Sequence, residues 1–336
     1  MTSQYRSYMP LKAYRNDTVR DASKKTSPDP KFEVFLRALR DRVSEATREN
    51  PTVRCWRRKK LRDEIATILN ADPALALFRP ANKMIESLQR IGWLKAVPVE
   101  SRDAADAFFL VDMAAGEAEI VDPLELLQAL RPSGVICYFS ALNYYDLSTQ
   151  VPTHHHIAWF PSKTENLGGA VSNPAQNRKA AERNPLGVEK FRFQGVPYFL
   201  TKRDPSLLAG VQLREVSSRT RLRITTLEQT LLDTLLQPVR SGGEAVIFEA
   251  WENAMEQFDP DRMAQHLASI ERIFLDRRVA AMLEMLGAGF ESTSLAIRFG
   301  FVKERLKSES EAFPPLSLLP GFDFPNSNKG WNIQVP

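Results

Sequence analysis

The sequence predicts an α+β fold in two parts: a basic helical head closed by a β-ribbon, then a mixed α/β body with a C-terminal helical layer. Three observations predict it. Apolar residues recur at helical spacing three times between Phe32 and Ile91, then give way to two short β-prone runs. From Thr153 to Ile224, short alternating runs separated by turn residues read as strands. From Leu227 onward helical periodicity returns and dominates.

Composition narrows the class. A chain of 336 residues has room for two domains, and 43% hydrophobic with 26% charged residues is the balance of a soluble globular protein. No run approaches the roughly 18 apolar residues of a membrane span. The start of the chain is polar and basic, without the apolar core of a secretory signal. Cys55 and Cys137 lie far apart with no partner spacing, which argues against a disulfide framework or a zinc site and fits a reducing cytoplasm. Charge is divided unevenly. Residues 1–100 carry 21 Lys and Arg against 12 Asp and Glu, whereas the rest carries 24 against 29. A basic first third on an acidic body suggests a nucleic-acid-binding module followed by something else; the duller explanation is a solvated basic terminus.

Residues 1–30 are polar and aperiodic and read as a mobile arm. Phe32, Phe35, Leu36, Leu39 and Val43 then mark a helix from Phe32 to Glu49. Cys55 to Asn70 reads as a second, with Leu61, Ile65, Ile68 and Leu69 inward. Ala81 to Ile91, led in by Pro80, reads as a third. Met84, Ile85, Leu88 and Ile91 form its inner side, and Asn82, Lys83, Glu86, Gln89 and Arg90 its outer side. Trp93–Val99 and Phe108–Val111 follow as strands across a polar loop. Three helices and a ribbon in this order make residues 31–112 a winged helix-turn-helix, with the third helix in the recognition position.

In the body, residues 113–336, Pro123 to Leu130 is a helix and Ser140 is placed to cap a short one. Thr153 to Phe160 is a strand, Ser162 to Glu189 a long patternless loop, and Phe191–Leu200 a hairpin turning at Gln194-Gly195. The sharpest punctuation is Leu222 to Gly243. Thr225 with Glu228, or Thr226 with Gln229, makes a capping box; Leu227, Leu231, Leu232, Leu235 and Leu236 form a stripe; Pro238 stops the helix and Gly242-Gly243 turns into the next. Further helices are expected over Glu244–Phe258, Asp261–Ile270, Ile273–Leu286 and Ser294–Leu306.

The run TTLEQTLLDTLLQPVRSGG resembles the C-terminal signature of the AbiEi-type antitoxin family of type IV toxin–antitoxin systems. Upstream GVICYFSALNYYDL and downstream LDRRVAAMLEMLG are similar to two further segments of that family, so the resemblance covers roughly Gly134 to Gly287. It implies a DNA-binding antitoxin and autorepressor that binds double-stranded operator DNA at inverted repeats. It also implies a nucleotidyltransferase-type toxin encoded nearby as partner, in a cytoplasmic setting. A stand-alone regulator or an interaction scaffold in a phage-defence locus is the alternative, because the arm and the long loop depart from the family pattern. The toxin half of such systems carries a Gly-Ser followed by an Asp-x-Asp metal pair; no Asp-x-Asp is expected in this chain, so it is not expected to be that partner.

The residues that follow from this reading are cationic or amide side chains. Asn82, Lys83, Gln89 and Arg90 are of the types that contact base edges and phosphates; Arg79 and the run Arg57-Arg58-Lys59-Lys60 could reach backbone phosphates. A cationic run opening a helix opposes the macrodipole and brings no folding gain, although it could simply be solvated. The acidic wing, with Glu100, Asp103 and Asp106 around Arg102, is expected to make no base contacts. Arg219, Arg221 and Arg223 share one strand face as a second basic patch, for RNA or an acidic partner, or as a charged edge that keeps the sheet soluble. His154 and His156 would share a face, but no third ligand is spaced to complete a metal site, and packing is the favoured role. Asp233 is expected to be a buried acid holding Arg221, Arg223 or Arg240. No P-loop, dinucleotide fingerprint or nucleophile elbow is present, so no catalytic residue, cofactor or metal is expected.

Overall fold

The computed structural model describes residues 29–49, 54–75, 80–101, 103, 107–111, 121–160, 185–217, 220–288, 294–309 and 312–336. The arm, most of the long loop after Ser162, Arg79 and Arg219 lie outside them. Within them the chain is a mixed α+β protein, and no described helix is long and apolar enough to cross a membrane.

The head holds helices α1 (Pro30–Glu49), α2 (Arg58–Ala71) and α3 (Ala81–Arg90). Phe35, Leu39 and Val43 of α1 meet Leu61 and Ile65 of α2 and Met84 and Leu88 of α3 in one core. Two features correct the sequence reading. Cys55–Arg57 is not the start of α2 but a strand, β1, and the helix begins three residues later at Arg58. The partner of β1 explains this: strand β4 (Phe108–Val111) is buried on both faces, so its backbone groups must be paired on both sides. Strand β2 (Leu94–Val97) takes one side and β1 the other, giving a three-stranded sheet in the order β1-β4-β2. The expected strand Trp93–Val99 is also interrupted. Pro98 separates β2 from β3 (Val99–Glu100), which leaves the head and pairs with the body.

The body is built on a seven-stranded mixed sheet in the order β3-β7-β8-β6-β5-β10-β9. Its strands are β5 (Val135–Ile136), β6 (His155–Trp159), β7 (Val188–Phe193), β8 (Val196–Lys202), β9 (Val211–Ser217) and β10 (Thr220–Thr225). Gln194 and Gly195 both have positive φ, as a two-residue hairpin turn requires, and they join β7 to β8 as the sequence predicts. The end of the expected long loop is instead ordered, since β7 starts at Val188. Helix α4 (Pro123–Leu130) begins on an Asp122 cap and packs Leu124, Leu126 and Leu127 against Phe191, Tyr198, Leu222 and Ile224. The same core takes in Cys55, Val97, Phe108 and Leu110 of the head. Across this junction Arg54 clamps Glu125 at 2.8 Å, with the carboxylate almost fully buried.

The second core of the body surrounds α6 (Leu227–Leu236). Thr226 caps it, accepting from Gln229 N at 3.3 Å, while the Gln229 amide turns away to the 207–210 loop, so only half of the expected capping box forms. Leu231, Leu232 and Leu235 are fully buried, and truncating any one to Ala would cost about 2–5 kcal/mol. Gly242 and Gly243, both at positive φ, turn the chain into α7 (Glu244–Ala254). Helices α8 (Pro260–Ile270), α9 (Ile273–Met285) and α10 (Ser294–Ser308) complete the layer. Arg277 and Arg278 of α9 are buried and donate to carbonyls rather than to acids: Arg277 to Trp331 and Pro314, Arg278 to Ser317 and Leu235. They fasten the C-terminal three-stranded sheet of β11 (Leu316–Ser317), β13 (Ile333–Val335) and β12 (Asn326–Asn328) to the helices.

Candidate nucleic-acid interface

Helix α3 is amphipathic. It starts after Pro80, whose fixed φ suits the lead-in, and ends at Arg90; the chain then turns at Gly92, whose φ of 76° only glycine takes freely. Met84, Ile85 and Leu88 are buried, and Asn82, Lys83, Glu86, Gln89 and Arg90 are exposed. Ile91, expected inward, is 53% exposed, because the helix has already ended at Arg90 and the chain turns there. Lys83 pairs with Glu86 at 2.9 Å on the open surface, an interaction of little energy that leaves the ammonium available. Arg90 has no ion pair among the described residues and sits in the last turn, where its charge complements the helix dipole.

The Arg57–Lys60 run divides. Arg57, the last residue of β1, reaches Leu130 O in α4 at 3.5 Å and so faces the body. The Lys60 ammonium lies 4.5 Å from the centre of the Trp56 ring, and burial lowers its pKa. Lys59 is exposed and Arg58 half-buried in the first turn of α2, which has no acidic residue and no side-chain cap. The acidic loop after β3 is pinned at its start: Glu100 stands opposite Arg192 of β7, and Ser101 Oγ donates to Lys190 O at 3.2 Å.

In the second patch, Arg221 and Arg223 alternate with buried Leu222 and Ile224, as expected for one face. However, β10 is not an edge strand; β9 covers it, and Arg221 is paired with Glu215 of β9 at 2.8 Å.

The three histidines are buried and engaged, not arrayed for a metal. His154 Nε2 meets Arg240 O at 3.1 Å, His155 Nδ1 meets Ser140 Oγ at 3.2 Å, and His156 Nδ1 meets Thr201 Oγ1 at 3.0 Å. Burial lowers the pKa of all three, His155 to about 4. Among the described residues no group of three candidate ligands comes together. Ser140 does not cap α5 (Phe139–Tyr144): it lies inside the helix, and its hydroxyl accepts from His156 N at 2.9 Å. The residue at the cap is Tyr138, buried with φ 59° at the corner between β5 and α5, and the Arg203 and Arg240 guanidiniums each lie 5.8 Å from its ring. Contrary to the expectation of none, the chain holds one Asp-x-Asp, Asp259-Pro260-Asp261, but it is a helix start: Asp259 accepts from Asp261 N and Arg262 N, and Asp261 accepts from Ser294 N.

Asp233 is fully buried, and the arginine it holds is Arg203, not Arg221, Arg223 or Arg240. Arg203 Nη1 donates to Asp233 Oδ2 at 2.6 Å, Nη2 bonds the other oxygen, and the Gln229 amide adds a third bond at 2.8 Å. Burial opposes the charge on Arg203, but the adjacent carboxylate outweighs it and raises the guanidinium pKa. Nothing in the spacing from Arg203 to Asp233 marks the pair; only the pairing of β6 with β8 brings Arg203 beneath α6.

No family model matches the chain, and no curated protein matches it. Among solved structures, it is similar to one described as "Crystal structure of RV2827C protein from Mycobacterium tuberculosis", at 16% identity over 89% of this chain and 90% of that one, with a TM-score of 0.48.

Proposed function

We propose that the chain is a duplex-DNA-binding transcriptional regulator. In this reading α1–α3 and the three-stranded sheet act as a winged helix-turn-helix, and α3 is its recognition helix. The observation that carries the proposal is the outer face of α3: Asn82, Lys83, Gln89 and Arg90 stand in solvent, while Met84, Ile85 and Leu88, with Ala81 beside them, hold the helix to the core. That polar face contributes little to folding: Lys83 pairs with Glu86 on the open surface, and Arg90 meets the helix dipole. Lys59 and Arg58 supply further positive charge on the neighbouring helix, whereas Arg57 and Lys60, turned toward the protein, are dropped from the interface. The resemblance of the α6 region to AbiEi-type antitoxins extends the proposal to repression of the chain's own operon at inverted repeats and to neutralisation of a nucleotidyltransferase-type toxin.

The test is a mobility shift on DNA from upstream of its own reading frame, titrated with salt. Six to ten phosphate contacts would lower affinity roughly 10³- to 10⁵-fold between about 50 and 200 mM salt. Lys83→Glu with Arg90→Glu is expected to abolish the shift while lowering stability by only about 1 kcal/mol, because both side chains are exposed and lose no more than the Glu86 pair and the dipole interaction. Undiminished binding by that variant would remove α3 from the interface. Growth rescue on co-expression with a neighbouring nucleotidyltransferase gene tests the antitoxin part separately.

A further inference from the structure

A cleft of about 460 Å³ opens in the body, between the start of α6, the edge strand β9 and α8. Its walls are Tyr144 and Tyr145, Gln212 and Arg214 of β9, Arg262 of α8, and Glu228 of α6. Glu228 is the anomaly. It is 1% exposed, and its Oε2 is buried without a hydrogen-bond partner; the nearest cation, Arg262 Nη1, stands 3.8 Å off on a side chain half in solvent. A buried carboxylate oxygen with no donor carries an uncompensated desolvation penalty. The favourable helix dipole in the first turn of α6 accounts for an acid there, but not for a buried oxygen left without a hydrogen-bond donor.

The tyrosine wall is held in place. Tyr145 donates its hydroxyl to Thr225 O at 2.7 Å and accepts a short bond from the Gln212 amide, and its ring meets Tyr144 edge-on at 5.1 Å. The cleft thus combines a fixed aromatic wall, a recessed acceptor that requires N–H donors, and two guanidiniums at the mouth. A ligand that suits all three has a flat ring, a donor edge and an anionic tail. Among the common nucleobases, guanine alone presents two adjacent N–H donors, N1–H and the 2-amino group, on its pairing edge; adenine and cytosine each place an acceptor beside their donor. A protein arginine would offer the same two-donor fork, but Arg214 and Arg262 would repel it, whereas they attract phosphate.

We propose that this cleft binds a guanine nucleotide, with Glu228 receiving the base edge, the tyrosines flanking the ring, and Arg214 and Arg262 meeting the phosphate. The size is that of an ordinary small-ligand pocket. The site lies in the body and does not depend on the head binding DNA. The same chemistry is offered by a free nucleotide and by an unpaired guanosine in RNA.

Isothermal titration of the full chain with GMP and GDP, beside AMP and IMP, tests the proposal. GMP should bind, AMP should not, and IMP, lacking the 2-amino group, should bind more weakly. Glu228→Gln, which keeps the shape but removes the charge, should weaken GMP roughly ten- to a hundredfold. Should that buried substitution impair folding, Arg214→Ala on the exposed strand is the second variant, and it should weaken GDP while sparing guanosine. A short single-stranded RNA with one guanosine separates the sources. Tighter binding than GMP, with the same response to Glu228→Gln, assigns the site to RNA; weaker binding assigns it to the free nucleotide, and either result supports a guanine site. No binding of GMP, GDP or the RNA, or binding indifferent to both substitutions, would overturn it.

Discussion

Replacing Asp233 by Ala takes away the carboxylate that compensates Arg203, a guanidinium only 6% exposed. Arg203 would keep its bond to Leu207 O at 2.8 Å and lose both bonds to Asp233. A guanidinium cannot neutralise itself by releasing a proton at ordinary pH, so the full charge stays buried and unpaired. Breaking such a pair from one side costs about 3–5 kcal/mol. Arg203→Ala should cost less, because a lone buried carboxylate can take up a proton, and its Gln229 donor remains. Replacing both at once, Arg203→Met with Asp233→Leu, should be close to neutral, since neither charge is then stranded. Urea unfolding followed by tryptophan fluorescence reads all three, since Trp251 is buried against Thr234 of the same helix as Asp233. The reasoning fails if Asp233→Ala costs less than about 1 kcal/mol, or if the double variant is as damaged as the sum of the singles.

The buried histidines are expected to make the protein acid-labile. Unfolded imidazoles near 6.5 take protons before His155 does at about 4, so stability is complete above 6.5 and declines as pH falls toward 4. His155 alone accounts for on the order of 3 kcal/mol; a melting temperature that stays flat across that window would contradict the buried, neutral assignment. Gly210→Ala should destabilise by about 1–3 kcal/mol, because its Cβ would lie 2.3 Å from both His266 Nε2 and the Thr226 hydroxyl and would break the α6 cap; chemical denaturation of the variant measures it. Cys55 and Cys137 are buried, and burial raises both thiols, Cys137 to about 12. Neither should react with a disulfide reagent until the chain is unfolded, and rapid labelling of the native protein would place one of them at the surface.

The elements legible from sequence are those whose signal is local. The stripe of α6, its Thr226 cap, the Pro238 stop and the Gly242-Gly243 turn all stand where periodicity and punctuation put them. So do the inner and outer sides of α3, except at Ile91. What failed was non-local. Cys55–Arg57 reads as helix because its apolar and basic residues suit either state, and only the need of β4 for a second partner makes it a strand. Asp233 is visibly a buried acid on an apolar helix, but which arginine meets it depends on the sheet order. Arg57 and Lys60 look like their neighbours in the run, and only the position of α4 and the Trp56 ring separates their roles. The orphaned oxygen of Glu228 leaves no trace in spacing, because a vacancy is a property of what surrounds a residue.

The core that Cys55, Val97, Phe108 and Leu110 share with α4 and the large sheet makes the head unfit to travel alone. Severed after residue 112, it would bare those four side chains to water and strand the Arg54 guanidinium without its carboxylate. Such a fragment should precipitate or scavenge other apolar surfaces, whereas a graft that retains α4 and β7 should stay dispersed. The same seam opposes swivelling of the head on the body, so two copies bridged through their bodies are expected to present their α3 faces at one set distance, like the jaws of a locked caliper.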